Sequence, residues 1–249
     1  MEVPVSGSGC ASPADDLLYV AELVADAGAK TALNYFDRQN LAHHLKDYGS
    51  YVAHADLAAD ETVRGMLARL TPGVPTLNDE TGGDDISGDH WIVDPIDGTE
   101  NFFRGSRWTA MRGTGAFSDG HPIKVSGRAD RSDAPFCHGG LRECPSAQAV
   151  HRVLAAAEGC RCARGWGNFW GHVQGSAEGA LSYGVEIWDV AAPSLLVSEA
   201  RGRCMDICGI PDLLAGTLLS SNGLLHQEIV DELTKDTGDV DTYDRKETQ

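Results

Sequence analysis

The first half of the chain opens with apolar residues at the three-and-four spacing of an amphipathic helix. This segment covers residues 15–36, and Asp15 and Asp16 at its start can cap a helix. Its apolar face consists of Leu17, Val20, Ala21, Val24 and Gly28. The pattern predicts a helix with one buried side.

A second segment with the same spacing runs from Asp56 to Leu70 and is followed by the stop signal Thr71-Pro72-Gly73. Its apolar face consists of Leu57, Val63, Met66, Leu67 and Leu70. This pattern predicts a second amphipathic helix.

The rest of the chain favours strands and helices in alternation. His90-Trp91-Ile92-Val93 lies between a Gly- and Asp-rich segment and Pro95, which is typical of a buried strand that enters a turn. Residues 106–160 alternate turn signals such as Asp119-Gly120 with short apolar runs, and this predicts strands. Helical spacing returns over about 146–157 and again from near Asp189.

Length and composition fit one folded domain with a short tail. The chain has 249 residues, 42% of them hydrophobic, which is enough for one or two ordinary cores. We find no internal repeat or clear linker, and we predict a single domain over residues 1–235 with two subdomains, about 10–130 and 131–235. Residues 236–249 contain almost no apolar side chains and predict a disordered tail.

The charge of the chain argues against nucleic acid as a partner. Lys and Arg number 20 against 37 Asp and Glu, a formal charge of −17, and no basic stripe is present to bind a phosphate backbone. No apolar run reaches the roughly 18 residues of a membrane span, and the first residues lack the basic and apolar regions of a signal peptide. Seven cysteines, an odd number, indicate reduced thiols. We expect a soluble, cytoplasmic protein without a membrane partner.

The strongest chemical signal is a stretch of the chain that is rich in acidic residues and contains no Lys or Arg. Residues 70–103 contain eight Asp or Glu and no Lys or Arg. Asp84 and Asp89 lie among Gly and Ser, where a solvated loop is the ordinary interpretation. Asp94 and Asp97 instead follow the apolar strand, at the edge of a sheet, where sites form.

Two carboxylates three residues apart on a Pro-containing turn can bind one hard cation. Mg²⁺ takes oxygen ligands from a few carboxylates and from substrate phosphate. Gly98 and Thr99 follow directly and can start a helix whose free N–H groups hold a phosphate. With Mg²⁺, Asp94 and Asp97 then form a phosphoryl-transfer site, and the alternative is that both only cap a turn. Asp189 offers a third carboxylate at a helix start, where a plain N-cap is the alternative.

Several segments resemble the signature motifs of the inositol monophosphatase superfamily. Residues 91–102, WIVDPIDGTENF, and residues 188–192, WDVAA, followed by Glu199, are similar to its two signatures in order and separation. Further similarities lie at residues 55–61, 78–80 and 220–226. Within the superfamily, residues 107–117 and 165–171 look more like the histidinol-phosphate phosphatase branch than like inositol-specific members.

The resemblance implies a fold and a reaction. The fold is a layered αβαβα sandwich of the α/β (α+β) class, and the reaction is Mg²⁺-dependent hydrolysis of a small phosphorylated metabolite by a homodimer. Thr99, oriented by Asp56, would help to activate the attacking water, and the N–H groups of Gly98 and Thr99 would hold the phosphate. The implied metal ligands are Asp79, with Glu80 as a possible substitute, Asp94, the Ile96 carbonyl, Asp97 and Asp189.

Three further residues are candidates for substrate contacts. Arg104 and Arg164 lie in segments expected around the pocket, and Arg pairs well with phosphate or carboxylate; solvent-exposed surface charge is the alternative for each. Asn168 stands where the family has an Asp on the substrate side.

The chain also departs from the family pattern. Ser106-Arg107-Trp108 follows Gly105 at once, where the family continues through two core strands, so part of the central sheet is predicted to be shortened. Asp79 is one methylene shorter than the usual Glu. Histidinol phosphate is the nearest substrate; an inositol, sugar or nucleoside phosphate is the alternative. A noncatalytic regulatory descendant of the family is the alternative to an enzyme.

Overall fold

The computed structural model describes residues 13–36, 43–45, 51–83, 88–96, 107–139, 141–158, 160, 162–165 and 177–235. Contacts within the chain divide it into two compact units, Met1–Arg104 (unit 1) and Gly105–Gln249 (unit 2). Each unit has its own helices and sheets, and each is described by itself.

Unit 1 contains two helices and two pairs of short strands among its described residues. Its elements are α1 (Pro13–Phe36), β1 (His43–Leu45), β2 (Tyr51–Ala53), α2 (His54–Leu70), β3 (Thr76–Asn78) and β4 (Trp91–Val93). Strands β1 and β2 pair antiparallel, whereas β3 and β4 pair in parallel. The two predicted helices and the predicted strand near residues 90–93 are confirmed.

The two helices of unit 1 pack against each other through small and apolar side chains. Val63 and Leu67 of α2 are buried in one cluster with residues of α1 and β4. Gly28 of α1 lies against Val63, since a Cβ atom on Gly28 would be 2.9 Å from Val63 Cγ2. The Oγ1 atoms of Thr31 and Thr62 hydrogen-bond between the helices at 3.1 Å. Glycine at position 28 therefore permits the close approach of α1 to α2.

The predicted start of the first helix was wrong by two residues. Helix α1 begins at Pro13, and proline is favoured in the first turn because its missing N–H has no helical partner there anyway. Asp15 and Asp16 consequently lie inside the helix and are not its N-cap residues.

Three leucines assigned to the buried faces are in fact exposed: Leu17 at 49%, Leu57 at 48% and Leu70 at 43%. Leu17 and Leu70 lie near helix ends, where fewer neighbours cover a side chain. Leu57 lies about 100° around the helix from Asp56, and the buried face of α2 includes Asp56 and Asp60. Asp56 and Asp60 thus lie on the buried side of α2, which the sequence pattern had assigned to Leu57.

Strand β4 is half-buried rather than fully buried, and among the described strands it pairs only with β3. Trp91 donates its indole N–H to Thr71 Oγ1 at 2.9 Å. Thr71 is the first residue after α2, and its N–H still donates to the Leu67 carbonyl at 2.8 Å. The predicted helix stop is confirmed, and it also anchors β4.

Unit 2 contains a three-stranded meander, a five-stranded sheet and three α-helices among its described residues. The meander consists of β5 (Trp108–Met111), β6 (Gly115–Ser118) and β7 (His121–Ile123). The sheet has the order β11 (Arg203–Met205), β12 (Thr217–Ser221), β10 (Gly179–Tyr183), β8 (Pro135–His138) and β9 (Cys162–Gly165). The helices are α3 (Ala147–Ala157), α4 (Ile187–Glu199) and α5 (His226–Thr234).

The sheet of unit 2 is parallel in one half and antiparallel in the other. Strands β9, β8 and β10 run parallel, and β12 and β11 continue the sheet in antiparallel pairing. Asp119 and Gly120 join β6 to β7 as predicted, with φ of 49° and 78°, the positive values that a tight hairpin turn requires. The predicted strands of the middle segment and both later helices are confirmed.

Helices cover both faces of this sheet. Helices α3 and α5 pack with Phe136, Leu181 and Leu219 in one hydrophobic cluster. Helix α4 packs through Leu196 and Val197 on the opposite face, together with residues of β11 and of the meander. Unit 2 therefore has helix, sheet, helix and sheet layers in this order, which confirms the predicted mixed α/β class.

The meander belongs to unit 2 because the end of α4 holds it. The Glu199 carboxylate accepts the N–H of Gly113 at 2.8 Å and the N–H of Gly115 at 2.9 Å. These two hydrogen bonds hold the pKa of Glu199 below its usual value. The contact-based boundary falls after Arg104, whereas the subdomain boundary predicted from the sequence is near residue 130.

Two predictions fall on parts of the chain that the structure does not describe. They are the tail over residues 236–249 and the shortened sheet, which concerns residues 97–106. Within the described part, every helix is too short or too polar to cross a bilayer.

Candidate metal and phosphate site

Two of the predicted metal ligands follow neighbouring parallel strands. Asp79 comes directly after β3, and Asp94 comes directly after β4. The strands pair with Asn78 opposite Val93, so their carboxyl ends stop at the same level. Because parallel strands end at one edge of their sheet, Asp79 and Asp94 emerge beside each other, and both are half-buried. The structure thus brings two predicted ligands to one edge.

A rigid turn carries Asp79 and Glu80. Asn78 is 1% exposed, and its Oδ1 accepts the Thr81 N–H at 2.7 Å and the Thr81 hydroxyl at 2.9 Å. Its own N–H donates to the Gly82 carbonyl at 3.1 Å. The sequence pattern gave Asn78 no role, although an Asn just before Gly-rich turn residues is a recognisable signal, since Asn side chains bond the backbone that follows them.

The turn after β4 holds Asp94 in a similar way. Its Oδ1 accepts the Ile96 N–H at 3.1 Å, across Pro95, which has no N–H to donate. One oxygen of Asp94 therefore does cap a turn, as the alternative interpretation expected. Turn capping and metal binding are compatible, because a carboxylate has two oxygens and about four acceptor positions.

Asp56 lies in the first turn of α2 and is 4% exposed. One turn later, Asp60 is 1% exposed. Asp60 Oδ2 accepts from Arg64 Nε at 2.7 Å, whereas its Oδ1 has no hydrogen-bond partner among the described residues. The sequence pattern identified Asp56 and missed Asp60; the spacing of Asp60 and Arg64 by four residues was the available signal.

Asp189 lies in the first turn of α4 and stabilises the start of that helix. Its Oδ2 accepts the N–H of Glu186 at 2.7 Å. Glu186 is the N-cap, so Asp189 is the third helical residue. It is not the N-cap residue that the alternative interpretation of the sequence expected. The bond fixes the orientation of the carboxylate at the start of α4.

The described acids suit a hard cation. Asp79, Glu80 and Asp94 offer carboxylate oxygens, the ligand type that Mg²⁺ prefers. Within the described ranges, no three His, Cys, Asp or Glu side chains come together as a complete metal-binding set. The predicted ligand Asp97 lies outside those ranges. The described part of the chain therefore contains several of the predicted metal ligands, and their chemistry suits a hard cation.

Other predicted site residues fall where the structure gives no description. They are Asp97, Gly98, Thr99, Arg104 and Asn168. Arg164 lies in β9, where only the backbone is described. The roles of these residues stay predictions.

The C-terminal motif lies in the core of unit 2. His226 is 1% exposed, and its Nδ1 hydrogen-bonds with Ser221 Oγ at 2.8 Å. Burial disfavours the charged imidazolium, and Arg203 repels it, so the pKa of His226 is lowered to about 4. Asn222 donates from Nδ2 to the Arg128 carbonyl at 2.7 Å. The motif therefore ties the sheet to the segment that follows the meander.

A further buried carboxylate was missed by the sequence pattern. Glu178, directly before β10, is completely buried and accepts from Ser126 Oγ at 2.7 Å and from the Arg128 guanidinium. Asn222 extends the network by donating to Ser126 Oγ at 3.3 Å. No local pattern marks these contacts, because Ser126 and Arg128 precede Glu178 by 52 and 50 residues.

Fold and site together define a class of protein. Mixed α/β layers with carboxylates at the ends of parallel strands are typical of enzymes that bind a metal or phosphate at a sheet edge. The family model described as the inositol monophosphatase family matches residues 14–110 and 103–237. The chain therefore belongs to the inositol monophosphatase family and is a metal-dependent phosphatase.

Two relatives are similar over most of the chain. A histidinol-phosphatase of Mycobacterium tuberculosis is 31% identical over 255 residues, which cover 88% of this chain and 98% of the relative. An inositol-1-monophosphatase of Mesorhizobium japonicum is 28% identical over 251 residues, which cover 84% of this chain and 92% of the relative. The comparison thus identifies a phosphatase family and leaves its substrate open.

The fold is shared with solved structures. The extragenic suppressor protein suhB from Bartonella henselae matches with a TM-score of 0.76 at 24% identity, covering 88% of this chain and 98% of that chain. The predicted inositol monophosphatase type of fold is confirmed. The two stretches matched by the family model overlap at residues 103–110, the place where strands are predicted to be missing.

Proposed function

We propose that the protein hydrolyses a small phosphate monoester in a Mg²⁺-dependent reaction and that histidinol phosphate is its substrate. The observation that carries this proposal is the register of β3 and β4, which brings Asp79 beside Asp94. Two neighbouring carboxylates repel each other unless a cation binds between them, so this placement favours a metal. The homodimer implied by the resemblance is part of the proposal.

The proposed ligands are Asp79 or Glu80, Asp94, the Ile96 carbonyl, Asp97 and Asp189. Mg²⁺ bound by these groups would neutralise phosphate charge and make a bound water more acidic. The hydrogen bonds described above support the assignment, because they hold Asp94 and Asp189 in one orientation before any ligand arrives.

Other residues of the chain position the phosphate and the water. In this proposal the N–H groups of Gly98 and Thr99 hold phosphate oxygens at a helix start. The Thr99 hydroxyl orients the attacking water, and Asp56 orients Thr99. The burial of Asp56 supports this role, since a carboxylate shielded from solvent forms stronger hydrogen bonds than an exposed one.

Arg104, Arg164 and Asn168 are proposed to contact the substrate. Guanidinium groups suit phosphate, and an amide can both donate and accept hydrogen bonds. Histidinol phosphate is favoured by the histidinol-phosphatases among the relatives and by the motif at residues 165–171. An inositol phosphate is the alternative, because inositol-1-monophosphatases match as well.

Phosphate release from a panel of monoesters tests the reaction and the substrate together. The panel contains histidinol phosphate, inositol 1-phosphate and several nucleoside monophosphates, each with Mg²⁺ and with EDTA. We expect release from histidinol phosphate that EDTA abolishes. Faster release from inositol 1-phosphate would show that an inositol phosphate, and not histidinol phosphate, is the preferred substrate. Release that is insensitive to EDTA would contradict the proposed requirement for Mg²⁺.

Asp94→Asn tests the ligand assignment, with Asp89→Asn as the matched control. Asp89 belongs to the same acidic segment but is exposed in a loop. We expect D94N to lower the Mg²⁺-dependent rate by about hundredfold or more, because even residues that only orient a metal ligand cost about tenfold to hundredfold. D89N should stay near the wild-type rate. Equal rates in the two variants would show that Asp94 has no role in catalysis.

A further inference from the structure

A pocket that the proposed mechanism does not use lies within unit 1. Its volume is about 410 Å³, which is within the usual range for sites that bind a small molecule. One side of the pocket is a face of α2, and the other is the segment that enters β3. The lining residues are Glu61, Arg64, Gly65, Ala68, Val74 and Thr76.

The pocket is open because this face of α2 carries two small residues. Positions 61, 64, 65 and 68 follow the three-and-four spacing of one helix face. Gly65 and Ala68 fill little space there. A Cβ atom on Gly65 would meet only Arg69 Nη1, at 3.9 Å. The sequence of α2 therefore leaves room for a ligand beside the helix.

A tight turn after α2 supplies the other side of the pocket. Val74 donates its N–H to the Thr71 carbonyl at 3.2 Å. Gly73 has a φ of 88°, in the left-handed region that favours glycine. The turn brings the chain back along α2, so that Val74 adds apolar surface to the pocket and Thr76 adds a hydroxyl group.

Two opposite charges line this pocket without neutralising each other. Arg64 donates from Nε to Asp60 Oδ2 at 2.7 Å, and Asp60 is 1% exposed. This bond holds the guanidinium in one orientation and leaves both Nη groups, whose planar fork suits a carboxylate. Glu61 is exposed and forms no ion pair with another residue of the described ranges. The pocket thus offers one cationic and one anionic group.

We propose that this pocket binds a free amino acid with an aliphatic side chain. The carboxylate of the ligand accepts from the Nη groups of Arg64, and its ammonium group donates to Glu61. The aliphatic side chain packs against Ala68 and Val74, because apolar surface gains free energy when it leaves water. A ligand with a single charge would leave Arg64 or Glu61 without a partner. The charges therefore favour a zwitterion.

Isothermal titration calorimetry with three ligands of similar shape tests this inference. L-leucine carries both charges, L-leucinamide lacks the carboxylate, and 4-methylpentanoate lacks the ammonium group. We expect leucinamide to bind roughly tenfold more weakly than leucine, because it loses the charge-assisted hydrogen bonds to Arg64. 4-Methylpentanoate should bind roughly threefold more weakly than leucine, the effect of losing one exposed ion pair.

Two variants assign the binding to this pocket. E61Q removes the charge that faces the ammonium group, so it should weaken leucine binding roughly threefold and leave 4-methylpentanoate binding unchanged. A68L fills the pocket and should abolish the binding of both ligands. E158Q and A29L make the same changes at exposed positions outside the pocket, directly after α3 and on α1. Both controls should keep the wild-type affinities.

The outcomes are independent of phosphate release, so this inference and the proposed function can fail separately. Folded wild-type protein that does not bind leucine at millimolar concentration would overturn the inference. Equal weakening of leucine and 4-methylpentanoate by E61Q would show that Glu61 binds no ammonium group, and leucine binding that survives in A68L would exclude this pocket. Circular dichroism melts report whether each variant is folded. If A68L does not fold, E61Q with the two ligands decides.

Discussion

At the scale of single residues, burial changes what a side chain can do. His226 is 1% exposed, and its pKa is lowered from 6.5 to about 4 because burial and Arg203 disfavour the imidazolium. The unfolded chain exposes the ring and restores the ordinary pKa. Between these pH values the unfolded state binds more protons than the folded state. The buried neutral ring therefore leaves the free energy of unfolding undiminished above pH 6.5, and this free energy falls as the pH decreases towards about 4.

Urea denaturation over a pH series checks this linkage. We expect the free energy of unfolding to fall more steeply between about pH 6.5 and 4 in wild-type protein than in H226N. The Asn amide can hydrogen-bond with Ser221 but does not titrate. H151N, at an exposed position of α3, is the control and should keep the wild-type slope. Parallel curves for wild type and H226N would contradict the assignment.

Which residues are buried was the least predictable property at this scale. Leu57 is exposed, while Asp60 and Glu178 are among the most buried residues. A prediction from local periodicity assigns a leucine rather than an acid to the buried face, because it uses only the hydrophobicity of each residue and not its partners. Asp60 and Glu178 are buried because Arg64 and Arg128 pair with them, and for Glu178 that partner comes from a distant segment.

At the scale of elements, most helices and strands could be predicted because their signals act between near neighbours. The helical spacing of apolar residues, among them Val24 in α1 and Val63 and Leu67 in α2, predicted both helices of unit 1. Asp119-Gly120 predicted a turn, which is the turn of a hairpin. The prediction was weaker at boundaries. Helix α1 begins at Pro13 because proline starts a helix as well as an Asp cap does.

Gly28→Ala is expected to destabilise the protein, although alanine is the better helix former. The added Cβ would lie 2.9 Å from Val63 Cγ2, so α1 or Val63 must shift. We expect a loss of about 1–2 kcal/mol in the free energy of unfolding, measured by urea denaturation. The clash should be relieved in a V63A background, where G28A costs less.

Gly65→Ala in α2 is the matched control for this prediction. A Cβ there would meet only Arg69 Nη1, at the ordinary contact distance of 3.9 Å. The substitution should therefore stabilise the protein by about 0.5–1 kcal/mol through helix propensity. The close helix contact is disproved if G28A and G65A change the stability in the same direction and by the same amount.

At the scale of the whole molecule, metal binding and stability are linked. The chain carries a formal charge of −17, and residues 70–103 contain eight Asp or Glu without any Lys or Arg. A cation that binds only the folded state stabilises it by mass action, by about 2.7 kcal/mol when its concentration is a hundred times Kd. Bound at Asp79 and Asp94 as proposed, the cation would also relieve the repulsion between these two carboxylates.

Thermal denaturation with Mg²⁺ and with EDTA measures this linkage without any substrate. We expect Mg²⁺ to raise the Tm of wild-type protein and of D89N, and to have little effect on the Tm of D94N. The comparison separates specific binding from general screening of negative charge, because each variant removes one charge from the same segment. A Tm shift of equal size in D94N would indicate screening alone.

The sequence by itself determined the family, the two amphipathic helices, the strand before Asp94 and the residues of the acidic motif. These follow from patterns contained within a few consecutive residues. Only the tertiary structure decided that Asp79 emerges beside Asp94, that Glu199 binds the backbone of Gly113 across 86 residues of chain, and that Glu178 is buried. The reason is physical: strand register and burial depend on partners brought together by folding, and no local stretch of sequence contains both members of such a pair.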